Sequence, residues 1–107
     1  MAMCEILLLS SKNATTISQC IQCSTIFLWH NNLLLSFTPT EFSSFQQVTS
    51  RFTFDEDCVP FPDHLMRLVM QLPEKQIGFA FTYEEWSDLL IVIQEAILMQ
   101  EVYEAMR

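Results

Sequence analysis

The chain has 107 residues, half of them hydrophobic and only 17% charged, which fits one domain with a single core and argues against a disordered chain. Its formal charge of −8, with Lys12, Arg51, Arg67, Lys75 and Arg107 as the only cations, argues against nucleic acid and against membrane surfaces as partners. One glycine in the whole sequence argues against Gly-rich phosphate loops.

The start, Met1-Ala2-Met3-Cys4-Glu5, carries no cation, and Ile6–Leu9 is too short for a signal core. The most apolar later stretch, Leu89–Met99, is interrupted by Gln94 and Glu95 and falls short of a membrane span. The expected address is cytoplasmic. In that compartment Cys4, Cys20, Cys23 and Cys58 read as thiols or metal ligands before structural disulfides.

In chain order, the apolar run ending at Leu9 leads into a turn cluster at Ser10–Asn13, and Thr15–Ser18 has β-branched strand character. Closing these as a hairpin places Cys4 roughly opposite Cys20. Ser24–Trp29 and Leu33–Phe37 form a second hairpin around His30-Asn31-Asn32, where asparagine tolerates a positive φ. Thr38-Pro39-Thr40-Glu41 then opens a helix with a threonine cap, a proline at the first position and a glutamate that closes a capping box. Phe42, Phe45, Thr49 and Phe52 continue at helical spacing, and the helix should fade near Arg51 or Phe52.

Phe54–Asp63, with two prolines and four acids, reads as a linker. His64–Leu72 alternates as a strand, Pro73–Gln76 turns, and Ile77–Phe81 runs back. Gly78 and Ala80 leave one face of that strand open to close approach. Thr82 and Glu85 repeat the capping box, and helical spacing runs to about Ala105, roughly 35 Å at 1.5 Å per residue. The middle of this helix is apolar on more than one face. The surplus calls for the other helix or for a second copy of the chain, so a homodimer through Leu89–Met99 is expected.

A constant offset maps Phe37 onto Phe81, Thr38 onto Thr82, Glu41 onto Glu85, Phe42 onto Trp86 and Phe45 onto Leu89. This echo suggests pseudo-repeats over about 20–52 and 64–106 within a single domain spanning 1–107. The expected fold is α+β: a mainly antiparallel sheet of four to six strands with two helices on one face, built from duplicated β-β-α units.

Chemistry is sparse. Cys20-Ile21-Gln22-Cys23 has the spacing of two ligands to one metal, and Cys4 supplies a third if the hairpin register holds. Zinc on Cys4, Cys20 and Cys23 is therefore one reading; idle thiols are another. Thioredoxin-like catalysis wants such a pair at a helix N-terminus, whereas here Ser24–Trp29 leads into a strand. His30 would stand roughly 20 Å from Cys23 along an extended strand. Asp55-Glu56-Asp57 reads as a solvated linker, and Glu84-Glu85 as helix capping. Phe27, Trp29, Trp86 and Tyr103 read as core or interface. No catalytic constellation emerges, and no cofactor beyond possible zinc is implied.

The order Cys4-Glu5-Ile6, then Cys20-x-x-Cys23, then Asn32-Leu33-Leu34-Leu35-Ser36-Phe37-Thr38 with Glu41-Phe42, then Thr82-x-x-Glu85-Trp86, resembles a family of short bacterial proteins of unknown function. The resemblance runs from Cys4 to about Ile97. It implies a fold and a bacterial source but no activity, and the first turn here, Lys12-Asn13-Ala14, lacks a glycine found in some relatives. Three readings follow: a non-enzymatic interaction or structural module acting as a homodimer with an unknown protein partner, a zinc-binding or redox-sensing thiol module, and, least favoured, an enzyme.

Overall fold

A computed structural model describes residues 5–72 and 76–106. The chain runs β1 (Ile6–Lys12), β2 (Thr15–Cys20), β3 (Ile26–His30), β4 (Leu33–Phe37), α1 (Pro39–Thr49), α2 (Phe54–Asp57), β5 (Cys58–Pro60), β6 (Met66–Gln71), β7 (Gly78–Phe81) and α3 (Tyr83–Ala105). The protein is α+β. Its described strands form two antiparallel sheets, β1-β2-β3-β4 and β5-β6-β7, in place of the one sheet of four to six strands that the sequence suggests.

The division has a physical cause. The chain leaves the first sheet as α1, passes through the non-helical residues 50–53 into the single turn of α2, and re-enters as β5, which pairs with β6 through Cys58–Leu68, Val59–Arg67 and Pro60–Met66. The stretch expected to be a linker is thus a helical turn followed by a strand. Pro60 lacks an N–H, but its strand lies at the sheet edge, where no donor is needed on the outer side.

The β3–β4 hairpin forms, but His30, expected in its turn, joins the ladder opposite Leu33, with Leu28 opposite Leu35, so the turn narrows to Asn31-Asn32. Asn31 takes φ 55° in the tight turn. The first hairpin differs from expectation. Ser11 and Lys12 stay in the ladder, the turn moves on to Asn13-Ala14 with Asn13 at φ 52°, and a register shift falls between Leu8 and Ser10. Leu9 and Ser10 are consequently both buried. Asparagine supplies the left-handed backbone that glycine would otherwise provide.

Both helices begin as their sequence dictates. Thr38 Oγ1 accepts from Glu41 N–H while Glu41 Oε1 accepts from Thr38 N–H; Thr82 and Glu85 repeat the reciprocal pair. α1 buries Phe42 and Thr49, and Phe52 just beyond it meets the Trp86 ring edge-on at 6.2 Å. α3 packs against β1 and β2 of one sheet and β6 and β7 of the other. Trp86, Leu89, Val92, Ile93 and Ala96 are buried there. Of the apolar residues off the main stripe of α3, Val92 is buried and Met99 partly so, while Ile91 and Leu98, with Val102 further on, remain exposed.

Polar ties repeat along the same helix. Asp88 accepts from Asn13 Nδ2 at 2.7 Å, Glu95 from Ser10 Oγ at 3.1 Å, and Gln100 Nε2 donates to Gln19 Oε1 at 3.2 Å. They fix its rotation over the first sheet. The core joins Leu9, Ile17, Ile26 and Leu28 of that sheet to Leu68, Met70, Phe79 and Phe81 of the second. Gly78 and Ala80 face outward and are exposed, so no helix approaches them; a Cβ on Gly78 would meet the Met70 carbonyl at 3.2 Å.

Candidate functional site

Three places hold the residues with chemical potential. The first is the turn that closes β2. Cys20 is buried, Cys23 is exposed, and the N–H of Cys23 donates to Cys20 Sγ at 3.5 Å. Ile6, and not Cys4, is the residue opposite Cys20. Cys4 itself lies outside the described residues. Its neighbour Glu5 is bound to the turn twice: its carbonyl accepts Ile21 N–H at 2.9 Å, and its N–H donates to Gln22 Oε1 at 2.7 Å. Cys58 is set apart at the start of β5, its thiol 3.9 Å from the Asp55 carbonyl. Among the described residues no three His, Cys, Asp or Glu side chains gather as a metal-binding group.

The second place surrounds His30. Sequence spacing gave this histidine no partner, yet the fold buries it and surrounds it. Its ring contacts Phe79 and Phe81 edge-on, with centroids 5.8 and 5.2 Å away. Nδ1 lies 3.0 Å from Thr15 Oγ1, and Asn31 Nδ2 donates to Nε2 at 3.3 Å. Because the amide nitrogen is only a donor, Nε2 accepts and the ring proton sits on Nδ1, aimed at Thr15. Glu85 Oε2 stands 3.7 Å from Nε2. A hollow of about 340 Å³ beside this group is lined by Asn13, Thr15, His30, Glu84, Glu85 and Asp88. Glu85 is engaged in capping α3, and Asp88 holds Asn13 and stands 3.7 Å from Lys12 Nζ. These bonds explain the cluster as a joint between hairpin and helix. No cysteine or serine nucleophile lines it.

The third is surface. On the open side of the four-stranded sheet, Leu8, Ser18, Phe27 and Ser36 form one cross-strand row, and Thr16, Trp29 and Leu34 another. Leu8 is 58% exposed, Trp29 56% and Leu34 59%. No charged residue falls in either row. Trp86, by contrast, is core, while Phe27 and Tyr103 are partly buried. An apolar groove of about 710 Å³ also runs between β4, α1 and β6, lined by Leu35, Phe37, Phe45, Val48, Met70 and Leu72. Among the described residues no helix is long and apolar enough to cross a membrane.

The geometry defines a small α+β protein with two antiparallel meanders joined by a long capped helix. By its sequence the chain belongs to the family of unknown function DUF6686, whose model matches residues 3–97. No curated protein and no solved structure matches it.

Proposed function

We propose that this protein is a non-enzymatic interaction module that pairs with a second copy of itself through the open face of its four-stranded sheet. The supporting observation is the cross-strand pair Trp29–Leu34, flanked by Phe27 and Leu8, all on one solvent-facing side. Large apolar side chains grouped on an outer sheet face are the usual mark of a contact surface, and a buried tryptophan is a frequent energetic centre of one. The absence of charge in these rows favours self-pairing by a chain of formal charge −8, because no carboxylates are forced together. The Leu89–Met99 segment is less suited, since Leu89, Val92, Ile93 and Ala96 are already buried within the chain.

Light scattering on a size-exclusion column at tens of micromolar tests the reading. The expected mass is twice 12.5 kDa, falling to 12.5 kDa in Trp29→Ser while Leu98→Lys stays dimeric. A wild-type monomer removes the homodimer, and dissociation by Leu98→Lys alone moves the contact to α3.

A thiol-based role, metal binding or redox sensing through Cys4, Cys20 and Cys23, is the second reading. It is favoured by the turn that directs a main-chain N–H at Cys20 Sγ.

A further inference from the structure

β4 is the last strand of the first sheet and has β3 on one side only. His30 faces Leu33, Leu28 faces Leu35 and Ile26 faces Phe37. Across a two-residue turn these are the hydrogen-bonded pairs. The amides and carbonyls of Leu34 and Ser36 therefore point the other way, along an edge that no described strand covers. The same alternation reaches Thr38, which is extended at φ −70° and ψ 162° and whose N–H donates to Glu41 Oε1 at 2.8 Å. Glu41 thus stands one pairing step, about 7 Å, beyond Ser36 on that edge. The apolar groove of about 710 Å³ follows the same line. Leu35, Ser36 and Phe37 line it in succession, and an alternating strand shows three consecutive residues to one groove along its edge, not from either face. Its other walls are one face of α1, with Thr40, Ser44 and Val48 a turn apart, and the end of β6 at Met70.

We propose that this edge and groove bind an extended, apolar peptide segment of another protein, with a basic residue at its N-terminal end. Open amide and carbonyl groups at every second residue fit an extended backbone, the mode by which a peptide strand is added to a sheet. Alternate side chains of the segment then lie against Phe37, Phe45 and Val48. Among the described residues that line the groove, Glu41 alone is charged, in a chain of formal charge −8, so the complementary charge is positive. Antiparallel pairing, the more stable arrangement, brings the N-terminal end of the segment to Glu41. β4 of a second copy carries no cation and leaves Glu41 uncompensated, which disfavours it as the occupant. The proposal concerns the edge of the first sheet and is independent of self-pairing through its open face.

The test is NMR titration of the full-length protein with the capped peptide acetyl-Arg-Val-Thr-Val-Thr-Val-amide, with affinity read from the shifts. The expected result is saturable shifts along β4 and α1, with slowed solvent exchange of the Leu34 and Ser36 amides. Ser36→Pro removes an edge donor where proline is tolerated, and should weaken binding about 5-fold or more. Methylating the peptide's backbone nitrogens on its pairing side should do the same. Glu41→Gln keeps the capping box without the charge, and should weaken binding about 3-fold, the difference shrinking as salt is raised. Circular dichroism checks that each variant is folded. Absence of saturable shifts up to about 1 mM peptide overturns the proposal. Binding that survives both Ser36→Pro and backbone methylation overturns strand addition. Equal affinity for a peptide with glutamate in place of arginine overturns the basic occupant. Leu34 and Ser36 amides already protected without peptide, with a mass that halves in Ser36→Pro, assign the edge to a second copy and overturn the peptide.

Discussion

Thr15 and His30 face one another across β2 and β3, and their side chains share a buried hydrogen bond of 3.0 Å. His30 then carries the contact onward to Phe79 and Phe81, so this one pair links the first sheet to the second. Thr15→Val keeps the shape but leaves the ring nitrogen without its partner. Such a loss costs about 1–3 kcal/mol. Urea denaturation should show a lower midpoint with an unchanged slope; a variant as stable as wild type would mean that the bond contributes nothing to holding the sheets together.

The two reciprocal caps offer a paired measurement. Thr38→Ala and Thr82→Ala should each destabilise by about 1 kcal/mol, within a range of about 0.5–2. Their effects should add in the double variant, because the caps start different helices and share no partner. Thermal unfolding checks this, with about 4–8 °C expected per kcal/mol in a domain of this size.

Ser24→Gly should stabilise the metal-free protein. The left-handed backbone at φ 64° costs serine about 1–2 kcal/mol, and glycine's extra freedom in the unfolded chain returns about 0.5–1 of that. The expected net gain is about 0.5–1 kcal/mol in denaturant, measured in the presence of chelator. A loss of stability would show that the Ser24 side chain contributes more than its backbone strain removes.

Asp63 sets a small acid dependence. Its carboxylate accepts from Leu65 N–H at 3.1 Å and from Arg67 Nη1 at 2.9 Å, and these bonds, the main-chain one first, hold its pKa below the ordinary 3.8. The folded state thus favours the charged form. The stabilisation is present above the ordinary value and is lost as pH falls through the lowered one. The stability gap between wild type and Asp63→Asn should therefore narrow as pH drops below 3.8; NMR titration of the Asp63 carboxyl checks the direction of the shift.

What the sequence revealed was local grammar. Thr38-Pro39 with Glu41, and Thr82 with Glu85, each specify a helix start through atoms three residues apart, and α3 ends where its apolar spacing stops. Asn31 announces its own turn. Features that depend on distant neighbours were hidden. Val59 is strand because Arg67 lies beside it, and nothing in Asp57-Cys58-Val59-Pro60 signals that pairing. His30 is buried because Thr15 is its register partner and the Phe79–Phe81 strand lies beneath, and neither relation has a sequence period. A register shift of one residue near Leu9 likewise changed which residue meets Cys20. The thiol spacing was plain from the letters, but the turn that aims Cys23 N–H at Cys20 Sγ required the backbone.

The order of elements has a consequence for biosynthesis. α3 follows every strand of both sheets, yet it fills the space against β1, β2, β6 and β7. While a ribosome is still making residues 83–105, the hairpins already outside it have no lid for Ile17, Leu28 or Phe81. Until that helix emerges, the nascent chain must shelter these side chains by transient collapse or by a chaperone, so premature termination before α3 should yield insoluble fragments and not a smaller folded protein.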